Sequence, residues 1–303
     1  MDVLSNLKFE DGAKIEGLPT AIAYNQPITL GQILAVKPDF FPPETELLST
    51  VTSSFPAVTA EHANAIAIAA RWAALDTSLS LSGTQIVGLL GRSGNLIYDF
   101  RNSYGLQFQD ASETQPVTAD GQNLMVIRPW KGTNKFTADT AFTVPTASKT
   151  LGAFFAQSKS YLRLQSGLTD VRFAMTALKS DAPPSGVTNF IWGDNVAYDY
   201  SIPNLGSLFD TLYANPFVLN GEIFFNGAIT PNTQLAPNPS GLIAVRTTGV
   251  TNISSIADDR GYIEVFGRSF FGRRIFDLLS SEIYTLDEAK ALNRFGLQYA
   301  GLA

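Results

Sequence analysis

The chain has 303 residues, 45% of them hydrophobic and 11% aromatic but only 16% charged, a balance that fits a large buried core and argues against disorder. With no Cys and a single His, disulfides, thiolate zinc sites, thiol nucleophiles and multi-histidine metal centres are excluded. The formal net charge of -6 disfavours nucleic acid as a partner, and with no apolar run of about 18 residues and no basic-then-apolar start the sequence predicts neither membrane insertion nor a signal peptide.

Residues 1–36 hold short β-prone runs broken by Asp11-Gly12, Gly17 and Pro19, with too few large apolar side chains for a core of their own. They are expected to be an extended docking or oligomerisation segment. Residues 37–58 carry Pro38, Pro42, Pro43 and Pro56 among many Ser and Thr, the composition of a linker. Residues 59–303 form the main domain. It opens on TAEHANAIAIAARWAALD, an Ala-rich stretch with Thr59 as N-cap, which predicts a buried helix of about four turns.

Short apolar runs then follow at 78–81, 85–90, 96–100, 124–127, 150–156, 161–164, 172–177, 190–192, 217–219, 222–225, 243–246 and 263–266, separated by Gly, Asn, Asp and Ser. That spacing predicts a mainly β fold, an antiparallel β-sandwich. Asn220-Gly221 and Asn226-Gly227 flank EIFF and supply the positive φ that hairpin turns require. Near the end, Thr285 and Glu288 make a T-x-x-E capping box, and Leu286, Ala289, Leu292 and Phe295 give the apolar stripe of a short terminal helix ending before Gly296.

Two resemblances add to this. Asp76, Ser82-Gly83, Ser93-Gly94-Asn95, Gln115-Pro116, Ala119-Asp120-Gly121, Val126 and Gly132, taken in order, resemble the opening of the concanavalin A-like (LamG, jelly-roll) domains of phage virion proteins. The closing stretch GRRIFDLLSSEIYTLDEAKALNRF is similar to that family's last strand and terminal helix, so the resemblance spans about residues 72–301. The chain departs from the pattern at Leu89, Leu90 and Gly91, where the family often has an aromatic and an Asp or Asn. Separately, Ala13, Lys14, Ile15, Leu18 and Pro19 resemble a segment of phage tail-fibre stems, which implies docking or oligomerisation through Lys14, Ile15, Leu18 and Pro19.

Glucan-cleaving enzymes that resemble this fold carry two Glu and an Asp along one strand, because acid and nucleophile must face one groove about 5 Å apart. No such run exists here, since Glu222 and Glu264 each stand alone on an expected strand, and no catalytic residue is assigned. His62 has no G-x-S-x-G elbow to serve and is read as structural. The densest ligand-like cluster is Trp192, Asp194, Asn195, Tyr198 and Tyr200, the residue types that stack on sugar C–H faces and bond sugar hydroxyls, with Trp130 as a candidate rim aromatic. The alternative for these residues is a buried Trp with turn-forming neighbours. Asp258 and Asp259 are candidate Ca2+ ligands, with a turn and an ion pair as the alternative, and no other cofactor is implied.

The resemblances imply a virion fibre or similar appendage assembled in the host cytoplasm, a homo-oligomer expected to be a trimer. It would attach to other virion proteins through its N-terminal segment and bind host-surface polysaccharide. A polysaccharide depolymerase spike and a purely structural head-decoration or collar fibre are the alternatives.

Overall fold

The computed structural model describes residues 45–302 apart from 77, 102–103, 141–142, 157–159, 182–187, 195–198, 201–205, 236–239 and 258–267. The expected docking residues Lys14, Ile15, Leu18 and Pro19 therefore lie outside the described residues. Thr45–Ala303 forms one compact unit.

Four helices supply one layer. They are α1 (Thr45–Ser54), α2 (Ala60–Ala74), α3 (Gly83–Leu90) and α5 (Leu286–Ala300), with a single-turn α4 (Pro216–Leu219) elsewhere. The strands are β1 (Asn95–Asp99), β2 (Gln107–Phe108), β3 (Val126–Ile127), β4 (Phe136–Thr137), β5 (Ala153–Phe155), β6 (Leu162–Ser180), β7 (Thr188–Asn189), β8 (Trp192–Gly193), β9 (Glu222–Phe225), β10 (Ala228–Ile229), β11 (Gly241–Ile256), β12 (Arg268–Ser269) and β13 (Gly272–Ser280). The fold is mainly β and antiparallel and closes in a terminal helix, as the spacing of apolar runs predicts.

Eleven described strands share one sheet, and its frame is the long antiparallel pair β6 and β11. The other edge of β6 is divided: Leu164 and Arg163 pair with β4, while Phe173 to Ser180 pair with β13, which in turn holds β1. One end of the sheet thus continues as β13–β1 and the other as β4–β3–β2. Between the two ends the ladder of β11 on β6 shifts register three times, from Arg246 to Ser255.

Where the sheet is central, both faces are apolar, and period-2 alternation sorts the side chains between two cores. Phe173, Met175 and Ala177 of β6, Leu242 and Ala244 of β11, and Phe276 and Leu278 of β13 pack with the helices. Their neighbours Ala174, Leu178, Ile243, Val245 and Leu279 enter the opposite core with Phe136, Trp192 and Tyr200.

Several expectations need correction. The stretch expected as linker at 37–58 becomes helix from Thr45, because Leu47 and Val51, one helical turn apart, bury on the helical core together with Phe55. The run at 85–90 is helix α3 rather than strand: Ser82 and Gln85 form a capping box, Ser82 Oγ accepting from Gln85 N at 3.3 Å and Ser82 N donating to Gln85 Oε1 at 2.8 Å. The run at 217–219 is also helical, started by the Asn215 cap and Pro216 at its first turn, so Asn220-Gly221 links helix to strand. Asn226-Gly227 is the expected hairpin turn, with φ of 48° and 84°. Finally, α5 continues through Gly296 to Ala300. A side chain at Gly296 would stand 3.1 Å from Leu242 and Met175, so the glycine lets the helix lie close on the sheet instead of ending it.

The resembling motifs at the two ends of the domain meet in space. Asp76 pairs with Arg294 at 2.6 Å, and the Ser93-Gly94-Asn95 loop is held by the β13–α5 connection. Gly94 N donates to Glu282 Oε1 at 2.9 Å. Asn95 Nδ2 donates to the Leu89 and Leu90 carbonyls at the end of α3, while its Oδ1 accepts from Ser280 Oγ at 2.5 Å and Tyr284 Oη at 2.7 Å.

Candidate functional site

The three described members of the expected sugar-binding cluster are brought together, but inside the protein. Trp192 is fully buried on β8 and meets Tyr200 edge to face at 5.2 Å. The Tyr200 hydroxyl lies 2.7 Å from Thr251 Oγ1, and burial pushes its phenol well above the usual range. Asp194 is buried and accepts from Asp199 N at 3.4 Å. Asp199 in turn accepts from Asn215 Nδ2 and Asn252 N, which ties this loop to α4 and β11. A pyranose stacks on an exposed ring face, and neither Trp192 nor Tyr200 offers one; this corrects the reading of them as a sugar platform. Asn195 and Tyr198 lie outside the described residues.

Trp130 is corrected in the same way. It is fully buried among Phe55 at 5.3 Å, His62 at 5.0 Å and Tyr299 at 5.2 Å, at the centre of the helical core. Asp258 and Asp259, the candidate Ca2+ ligands, lie outside the described residues. Among the described residues no group of three or more acidic or His side chains is placed to hold a metal.

A cleft of about 580 Å³ lies instead beside the β2–β3–β4 ribbon, within the size range of small-ligand sites. Its wall includes Tyr104, Glu113, Arg128, Lys131, Lys135 and Gln165. Arg128 directly follows β3 and Lys135 directly precedes β4, so pairing of these two short strands brings both cations to one side. Between them Trp130 enters the core while Lys131 faces the cleft and donates to the Gly91 carbonyl at the end of α3. Gln165 is placed by its backbone N–H, which donates to the Lys135 carbonyl at 2.9 Å.

Glu113 reaches the cleft from a built loop. Its φ is +59°, a left-handed conformation that few non-glycine residues adopt. The Asp110 carboxylate fixes that turn by accepting from Thr114 N at 3.0 Å, Thr114 Oγ1 at 2.8 Å and Gln115 N at 2.8 Å. The Glu113 carboxylate then pairs with both Arg128 and Lys135. Partial burial works against its charge, but the hydrogen bonds from Lys135 and Arg128 outweigh it and hold the carboxyl below the usual range. Burial lowers the Lys131 ammonium, with Glu282 opposing the shift.

Tyr104 supplies the aromatic part of the wall and is half-buried. One face of its ring stacks on His62, centroids 4.1 Å apart and planes 4° from parallel. Burial raises its phenol to about 12, so the hydroxyl stays protonated at neutral pH.

Behind Tyr104 a buried polar chain sets its position. Tyr299 Oη donates to Asp99 Oδ2 at 2.5 Å, and Asp99 is also bridged by Arg101 through Nε at 3.0 Å and Nη2 at 2.8 Å. Because the only proton of Tyr299 Oη goes to Asp99, His62 must be the donor in its 2.7 Å contact with that oxygen, through Nε2–H. His62 Nδ1 is then a bare acceptor, buried without a hydrogen-bond partner among the described residues.

Chemically, the wall combines an aromatic ring, a neutral amide, three cations and one ionised carboxylate. It is equipped to hold a hydroxylated, polar ligand. None of these residues is a candidate in the sequence reading, which stops at the neighbouring Trp130. The overlooked signal is the spacing of Arg128, Lys131 and Lys135, three cations within eight residues of an acidic chain. Comparison with known proteins identifies no matching family model, no matching curated protein and no matching solved structure.

Proposed function

We propose that this chain is a non-catalytic carbohydrate-binding component of a phage virion, a tail fibre or similar appendage. The β domain would display the Tyr104 cleft to host-surface polysaccharide. The observation that carries the binding role is the composition of the cleft: a half-buried ring backed by His62, together with cations, a fixed carboxylate and a glutamine amide. Aromatic stacking with a few placed polar groups is the usual chemistry of sugar recognition. The virion setting and the concanavalin A-like family rest on the sequence resemblances alone. Display as a homo-oligomer, a trimer, would raise the avidity of a weak single site.

A depolymerase would need a second carboxylate opposite the first. Among the described residues of the cleft wall Glu113 is the one carboxylate, and it is held ionised between two cations, which suits an acceptor of hydroxyl protons better than a general acid.

The test is calorimetric titration of the full chain with oligosaccharides from host capsule and lipopolysaccharide, alongside an assay for reducing ends. Saturable binding without reducing-end release is expected, with Tyr104→Ala weakening it about tenfold, or ~1.4 kcal/mol, when measured well below the melting temperature that loss of the stack on His62 lowers. Release of reducing ends, or silence across the whole panel, overturns the proposal.

A further inference from the structure

We infer that the cleft selects anionic saccharides, with the acidic group of the sugar seated at Lys131. This deepens, and rests on, the reading of the cleft as a sugar site. Among the described residues three cations line the cleft and Glu113 is its one carboxylate, so positive charge is in surplus there while the chain as a whole carries a net -6. An acidic protein does not gather unmatched cations on one wall at no cost, since like charges at close range repel.

The cations are also not equivalent. Arg128 and Lys135 share Glu113, and the Asp110 loop holds that carboxylate in place, so their positions are fixed. Lys131 donates one of its three ammonium protons to a neutral partner, the Gly91 carbonyl, and the carboxylate that acts on its charge, Glu282, does not line the cleft. Its other protons are the donors best placed to meet an incoming anion, and partial burial makes that pairing stronger than on an open surface. In the same cleft, Tyr104 offers an apolar surface to the ring that carries the acid. The shared chemistry is an anion on a sugar, whether carboxylate, sulfate or phosphate.

The experiment uses matched ligands on the full chain: uronate-containing capsular oligosaccharides, the same oligosaccharides after carboxyl reduction, sulfated derivatives of the reduced forms, and inorganic phosphate. The acidic member of a pair should bind at least tenfold tighter than its reduced partner at low salt and lose that advantage as salt rises. Lys131→Met should abolish the preference, bringing the affinity for the acidic member down to that of its reduced partner. If the sulfated derivatives bind as tightly as the uronates, the recognised feature is the negative charge and not the carboxylate itself.

Equal binding of acidic and reduced forms, or binding of neutral glycans only, overturns the acid preference and leaves the sugar site standing. Phosphate displacing the oligosaccharide at equal concentration reduces the site to simple ion attraction and also overturns it. Absence of binding to any glycan removes the proposed function, and the inference with it.

Discussion

At the residue scale, His62 shows how burial turns an ordinary side chain into a pH-dependent element of stability. It is fully buried in α2, and desolvation lowers its pKa from 6.5 to about 4, although the Asp99 carboxylate pulls it upward and Arg101 pushes it down. A second proton would have to sit on Nδ1, which has no partner among the described residues. The unfolded chain therefore takes up a proton between about pH 6.5 and 4 that the folded chain refuses, and folding stability present above pH 6.5 is lost as pH falls through that window. Urea midpoints at pH 7.5 and 4.5 should show roughly 2 to 3 kcal/mol more loss for the native chain than for His62→Gln. Equal losses in the two proteins would mean that His62 does not govern acid stability. Arg274 and Asp277 are a second buried polar pair, joined at 2.8 Å and shut from solvent, with Arg274 Nη1 also donating to the Ile191 carbonyl at 2.7 Å. In sequence this arginine reads as part of a solvated strand edge with Arg268 and Arg273. It is buried because alternation along β13 is disturbed by the register shift between Arg274 and Phe276 on β6.

At the element scale, the junction of α3, β1, β13 and α5 is held by one side chain. Asn95 satisfies two carbonyls at the end of α3 and accepts from Ser280 and Tyr284, so it supplies a helix C-terminus, a strand end and the entry to α5 at once. Asn95→Ala leaves these buried groups without partners and should cost about 3 kcal/mol, read as a lower urea midpoint at unchanged slope. A change below about 0.5 kcal/mol would show that the junction does not depend on this residue. Much of this scale is legible in sequence. Thr59 caps α2 by accepting from His62 N, and Thr285 with Glu288 boxes α5. The Ser82–Gln85 box and the Asn215-Pro216 start were equally local signals, but the apolar runs after them, IVGLL and FVL, suit a buried strand and a buried helix alike.

At the scale of the whole molecule, the described residues of Thr45–Ala303 form a compact unit with two large hydrophobic cores of its own. A chain beginning at Thr45 should keep the cooperative thermal transition of the full chain in calorimetry. If the N-terminal segment oligomerises the protein as proposed, light scattering should find the full chain trimeric and the shortened one monomeric. Equal masses for the two would remove that role from residues 1–44. The sequence by itself determined the fold class, the Thr59 and Thr285 helix caps, the Asn226-Gly227 turn and the excluded thiol and multi-histidine chemistries, because each depends on composition or on neighbours a few residues apart. Tertiary structure alone decided which polar and aromatic residues face solvent. Trp130, Trp192 and Tyr200 have the composition of a sugar site and the burial of a core, while Tyr104, Glu113, Lys131 and Gln165 come from four separate segments and line one cleft. The physical reason is that a binding surface is set by which side chains the sheet and its loops leave uncovered, and no local pattern records that.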